Sequence, residues 1–200
     1  MIPVELGIMS CQSGLKEELL IFNDFINKYL APSNEIGVWS FERTKGEHNR
    51  SKIAYLAQHQ LFEQIPELSK DIDMAPTLCG ITGPSNINVW IGTGGTRTPL
   101  HFDSYDNILV QIVGSKIVRL YGKEETSKLY VLKKGEHMYA KQGNMSAIDC
   151  ENENFIQHPE AKDAKYTEVI LSPGDCLFIP KFTWHYVRSL TTSSSINFWW

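Results

Sequence analysis

In TPLHFDSYDN (residues 98–107) a histidine and an aspartate stand two positions apart, as His101 and Asp103. Residues two apart on an extended segment share a face, so an imidazole nitrogen and a carboxylate oxygen can converge on one point. The pair is either half of a metal site or two polar residues that fall near each other. With six histidines in 200 residues, chance supplies a His-x-Asp in a chain of this kind about a quarter of the time. His158–Pro159–Glu160 is a ready decoy. Support must come from elsewhere in the chain.

It comes from His185, which opens a strand-like run after the turn and strand of SPGDCLFIPKFTWHYV (172–187). Two imidazoles and one carboxylate on one side of a metal leave the opposite positions open, the donor pattern of non-haem Fe(II) oxygen chemistry. Taken alone, His185 reads as a half-buried histidine between Trp184 and Tyr186. The order of turns and strands around both pieces favours the ligand reading. In a barrel of antiparallel strands, residues far apart in sequence are brought side by side.

The elements that must position these residues are mostly strands. INVWIG (87–92), ILVQIVG (108–114), KIVRLY (116–121), EVIL (168–171), CLFIP (176–180), HYVRSL (185–190) and SINFWW (195–200) follow one another with turn signals between them. Many short strands punctuated by turns indicate a mainly β sandwich or barrel. Ahead of them, GLKEELLIFNDFINKYL (14–30) places apolar residues on one helical face, with Ser13 as N-cap and Glu17 and Glu18 suiting the positive helix end. AYLAQHQLFEQIPELSKDI (54–72) also reads as helical, broken at Pro66. Residues 31–52 read as a loop, and the polar stretch 122–166 as an insertion over one rim. The expected organisation is one domain over 1–200. Within it, 1–85 form a helical and strand support, and 86–200 the β core with the 122–166 insertion. The chain opens on a strand-like run, so a preceding region is expected to be missing. GTGGTRT (92–98) lacks the G-K-[ST] ending of a phosphate loop and precedes strands rather than a helix, so it is read as a turn.

A net charge of −4 provides no global basic field, which argues against nucleic acid as the partner. Four cysteines without a C-x-x-C pair argue against a zinc ribbon and suit a reducing compartment, in the nucleus or cytoplasm. No stretch resembles a secretory leader or a membrane span.

Five stretches together carry a family resemblance: IPVELG (2–7), YLAQHQLFEQIPEL (55–68), TPLHFDSYDNILVQIVGSKIVRLY (98–121), LSPGDCLFIPKFTWHYVRSL (171–190) and SINFWW (195–200). The chain resembles a Jumonji-C (JmjC) domain of the 2-oxoglutarate-dependent oxygenases. It is most similar to the subgroup known as lysine-specific demethylase eight and as an arginyl hydroxylase. The resemblance implies a double-stranded β-helix, a jelly roll of the cupin type. It implies that His101, Asp103 and His185 hold Fe(II), and that Tyr55, Thr98, Asn107 and Lys116 hold the cosubstrate 2-oxoglutarate. It also implies O2 as the oxidant and places Trp90 and Trp199 on the substrate pocket. Phe102, between the first two ligands, departs from the polar residue usual in the subgroup, and residues 31–52 follow its pattern loosely.

Lys116 taken alone is a lysine after the turn Gly114–Ser115, a position most often solvated. Ile117 and Val118 place it inside a strand instead. A metal of charge +2, Asp103, a dianionic cosubstrate and Lys116 sum to zero, so such a site can close without buried net charge.

Three functions follow. The first is a protein oxygenase that hydroxylates an arginine side chain or demethylates a methyl-lysine in a protein or peptide substrate. The second is a catalytically silent cupin serving as a binding module, which would have no need of a complete triad and a cosubstrate lysine. The third is a tRNA-modifying relative, weakened by the acidic charge balance. Trp184 and Tyr186 flank His185 and must face away from it on a strand. Too few aromatics then remain for a methylammonium cage, so arginine hydroxylation is the expected reaction. The sequence leaves the oligomeric state open.

Overall fold

The computed structural model describes residues 1–7, 16–30, 53–72, 83–134, 143–152 and 155–200. Among these residues, eleven strands form: β1 Ile2–Leu6, β2 Lys16–Leu20, β3 Ala54–His59, β4 Asn86–Gly92, β5 Arg97–His101, β6 Asn107–Val113, β7 Lys116–Tyr121, β8 Tyr166–Leu171, β9 Cys176–Ile179, β10 Trp184–Ser189 and β11 Ser193–Trp199. They pair antiparallel in two sheets, β2-β1-β3-β4-β11-β6-β9 and β5-β10-β7-β8. The two sheets face each other as a jelly roll, the double-stranded β-helix.

The alternation of each strand decides what lies between the sheets. Leu109 and Ile179 of the larger sheet meet Val118 and Leu171 of the smaller, with Val187 beside them. The opposite face of the larger sheet carries Val89, Ile196 and Phe198, and two short helices cover it. These are α1 (Phe22–Phe25), continued by a π turn over Ile26–Leu30, and α2 (Leu61–Gln64), which bury Phe25 and Leu61. Gly114 makes the β6–β7 turn at φ +69°, and a Cβ there would lie 2.0 Å from the Thr192 carbonyl oxygen. Only glycine serves that turn. Among the described residues, no helix is long and apolar enough to cross a membrane.

Both helical expectations at the N-terminal side need correction. Lys16–Leu20 is a strand paired along its length with β1, and helix begins only at Phe22. Ala54–His59 is a strand between β1 and β4, followed by α2 and a 3₁₀ turn over Pro66–Asp71. Alanine, leucine and glutamine prefer helix, but β3 fills the gap between two strands and satisfies ladder bonds with both, which overrides local preference. Ser13 and the 31–52 loop lie outside the described residues.

The 122–166 stretch carries 3₁₀ turns over Lys123–Lys128 and Pro159–Asp163. It also seals the free edge of β5. The Ser146 N–H donates to the Leu100 carbonyl at 2.9 Å, the Phe102 N–H to the Asn144 carbonyl at 3.0 Å, and Met145 bridges to His101. Leu129 and Ile148 join Leu100, Tyr121, Trp184 and Tyr186 in a second core on that side.

Candidate metal centre and cosubstrate pocket

His101 ends β5 and His185 lies directly opposite it on β10. Their rings come within 4.2 Å, centroid to centroid. Asp103 lies just past the end of β5. Its Oδ2 is 3.8 Å from His101 Nε2 and 3.5 Å from His185 Nε2. Potential ligand atoms of all three residues lie within 4.8 Å of one another.

The backbone fixes the tautomer of both rings. His101 Nδ1 lies 2.8 Å from the Pro99 carbonyl, and His185 Nδ1 lies 3.0 Å from the Thr183 carbonyl. A carbonyl only accepts, so in both rings Nδ1 carries a proton, and in the neutral ring Nε2 is the atom that presents a lone pair. Burial and the neighbouring His101 hold the His185 imidazole down at about 4, hence neutral at pH 7. Two imidazole Nε2 atoms and a carboxylate oxygen thus face one another, each able to offer a lone pair. That arrangement is repulsive on its own and suits a cation at its centre, with carbonyl-oriented imidazoles as metal ligands commonly have.

The aspartate segment is clamped from two sides. The Asn144 side chain donates to the Phe102 carbonyl at 2.7 Å, complementing the reverse backbone bond. The Phe182 N–H donates to the Asp103 carbonyl at 2.8 Å, with Phe182 at φ +65°. Phe102 itself packs edge-on against Trp184 at 4.8 Å, so the apolar residue between the donors serves the core.

The pocket beyond these groups is lined by Tyr55, Thr98, Asn107, Lys116, Trp90 and Trp199, so the structure brings together every site residue expected from the sequence. Two β-bulges make this possible. On β5, His101 and Thr98 face His185 and Val187, three steps against two. The extra residue falls at Pro99–Leu100, and a bulge is where a strand tolerates proline. On β3, the register skips between Leu56 and His59, with Gln58 at φ +47°. Thr98 with His101, and Tyr55 with Gln58, are each three apart. They share the pocket only because of the extra residue.

Lys116 is 1% exposed, its Nζ 3.5 Å from the Trp90 carbonyl and 5.7 Å above the Tyr55 ring. Burial lowers its pKa to about 7. Such an ammonium can be matched by a bound carboxylate. Tyr55 is buried, which pushes its hydroxyl pKa up and keeps it a neutral donor, 3.5 Å from Thr98 Oγ1. Gly92 allows the tyrosine ring its place, since a Cβ there would lie 2.7 Å from it.

Asn197 is a pocket residue that sequence reasoning missed. Trp90 Nε1 donates to Asn197 Oδ1 at 2.9 Å, and Asn197 Nδ2 donates to Asn107 Oδ1 at 3.1 Å. An indole N–H can only donate, so it orients both amides and turns the Asn107 N–H2 toward the pocket. The alternation of SINFWW, with Asn197 two before Trp199, could have revealed it. Gln58, Leu109, Ile179 and Val187 also line the pocket. The bulge hides Gln58 from any period-two reading. Trp184 and Tyr186 point away from the metal donors, donating to Thr126 and Glu151.

A jelly roll that gathers two histidines, an aspartate and a buried lysine inside one end has the architecture of a cupin-type metal site. Residues 15–200 match the model of the cupin-like domain family, and the chain belongs to that family. It is 40% identical over 202 residues to lysine-specific demethylase 8 of Danio rerio, covering 100% of this chain and 45% of that protein. It is 42% identical over 204 residues to JmjC domain-containing protein F of Dictyostelium discoideum, covering 92% of this chain and 42% of that one. The chain thus spans less than half the length of these relatives. The X-ray structure of E. coli ycfD shares the fold, with a TM-score of 0.50 at 13% identity, over 98% of this chain and 40% of that one.

Proposed function

We propose that this chain is an Fe(II)- and 2-oxoglutarate-dependent oxygenase that hydroxylates an arginine side chain of a protein substrate, in the nucleus or cytoplasm. The observation that carries the reading is the convergence of His101 Nε2, His185 Nε2 and Asp103 Oδ2 beside a pocket that ends on a buried lysine. When bound, the iron and cosubstrate supply oxidation of a substrate C–H bond by O2, with release of succinate and CO2. His101, Asp103 and His185 would hold the metal. Lys116, with hydrogen bonds from Tyr55, Thr98 and Asn107, would hold the dicarboxylate, and the sum of charges is zero. Leu109, Ile179 and Val187 make the intervening wall apolar and exclude water, which strengthens these polar contacts.

The choice of arginine rests on the pocket wall. Trp90 and Trp199 offer faces for a planar guanidinium. Methyl-lysine demethylation is the second reading, favoured by the demethylase name of the Danio rerio relative. Mass spectrometry of arginine and methyl-lysine peptides, under Fe(II), 2-oxoglutarate and ascorbate, separates the two. Arginine hydroxylation adds one retained oxygen. Stoichiometric formaldehyde from a methyl-lysine peptide overturns the choice, and the absence of both succinate release and iron uptake overturns the oxygenase reading.

A further inference from the structure

Beside the metal pocket lies a second recess of about 420 Å³, lined by Gln58, His59, Gln60, Asn86, Asn88, Tyr105 and Trp199. Gln58 and Trp199 belong to both walls, so the two cavities adjoin. Its chemistry is unlike that of the metal pocket. No lysine, arginine, aspartate or glutamate lines it among the described residues. Burial lowers the pKa of its single histidine, His59, and so favours the neutral ring. Four of the seven lining residues are carboxamides.

Two of its walls hold donors without partners. Asn88 is 3% exposed and its Nδ2 has no hydrogen-bond partner; Trp199 is 8% exposed and its Nε1 has none either. Buried N–H groups are rarely left unmatched, so two on adjacent strands of one recess call for acceptors from outside the chain. At the rim, Gln60 Nε2 donates to Asn86 Oδ1 at 2.9 Å, which leaves the Gln60 oxygen and the Asn86 N–H2 turned to other use. Tyr105 stacks flat on Trp199, 5.3 Å away and 6° from parallel, and stiffens that wall. The left-handed backbone at Gln58 is strained for a residue with a side chain. Such strain gathers at ligand clamps, where the surroundings hold it in place.

A neutral wall of carboxamides offers a donor and an acceptor at each residue, the same pair that a peptide unit offers in reverse. Charged side chains would lose hydration there with nothing to pair them. We propose that this recess seats the main chain of the protein substrate, taking one or two peptide units beside the residue whose side chain enters the metal pocket. The proposal deepens the oxygenase reading and rests on it. Recognition here is of backbone carbonyls and N–H groups, so it tolerates different flanking side chains.

The test uses the protein loaded with Zn(II) and 2-oxoglutarate, which binds without turnover. Metal and cosubstrate uptake are titrated first, and failure at that stage sinks the oxygenase reading by itself. The peptide titrations are then made on the unloaded protein instead, so the recess is still decided. The probes are acetyl-Gly-Gly-Arg-Gly-Gly-amide, its methyl-lysine counterpart and free arginine, followed by calorimetry. Asn88→Leu and Gln60→Ala are each expected to weaken both pentapeptides by about threefold to tenfold, the loss of one neutral hydrogen bond, with no change for free arginine. The equal effect on both pentapeptides separates main-chain seating from recognition of the target side chain. Gln60 is at the surface, so its variant keeps the test sound if Asn88→Leu fails to fold. Unchanged pentapeptide affinity in Gln60→Ala and in any folded Asn88→Leu, or no pentapeptide binding to the wild type, overturns the proposal.

Discussion

Replacing Lys116 by methionine tests the cosubstrate pocket most directly, because the side chain keeps its length and loses only its charge. Lys116 is fully enclosed, and its pKa falls from 10.5 to about 7 through burial alone. That drop corresponds to on the order of 5 kcal/mol of unfavourable desolvation for the ammonium. At pH 7 Lys116 is then neutral in about half of the folded molecules, and a bound dicarboxylate must bring the proton back. Cosubstrate affinity should therefore weaken about tenfold from pH 6 to pH 8, as the proton is lost from the free protein. The direction of the stability effect follows from the same numbers. Between about 7 and 10.5 the unfolded chain binds the proton and the folded chain does not, so stability rises with pH across that window. Lys116→Met should remove both dependences, stabilise the ligand-free protein at pH 7, and weaken 2-oxoglutarate at pH 7 by at least about a hundredfold, as loss of a buried charge partner does. Calorimetric titration of the zinc-loaded protein at pH 6, 7 and 8, with urea denaturation of both proteins, reads all of this. A wild-type affinity that does not change over that range, or unchanged affinity in Lys116→Met, would refute the reasoning.

Three further outcomes are expected. Because burial and the neighbouring His101 hold the His185 pKa well below the usual imidazole range, the metal-free protein should lose stability as pH falls below about 6.5, the unfolded chain taking up that proton first. His185→Gln should lose less over the same window in urea denaturation. Asn144→Ala removes the side-chain half of the clamp on Phe102 and should weaken metal binding by about tenfold or more, measured by competition with a coloured chelator. Gly114→Ala should cost at least about 2 kcal/mol, since its φ is +69° and its Cβ would meet the Thr192 carbonyl; an unchanged thermal midpoint would contradict the reading of that turn.

How far these groups were legible in the sequence depended on periodicity. Strands β4, β6, β7 and β9 to β11 read directly from alternation and turn residues, because each buries one face and leaves its polar breaks at the ends. The donor types at His101, Asp103 and His185, and the strand position of Lys116, read in the same way. β2 and β3 did not, because Lys16–Leu20 and Ala54–His59 are made of residues that prefer helix, and only the neighbouring strands β1 and β4 decide otherwise. The bulges at Pro99–Leu100 and at Gln58 could not be read from a period of two, since an inserted residue is invisible until its partner strand is in place. The sequence by itself determined which atoms were available to bind a cation and a dicarboxylate. The tertiary structure alone decided that their lone pairs meet, since the Nε2 atoms are freed only by the Pro99 and Thr183 carbonyls, and His101 meets His185 only across the β5–β10 ladder.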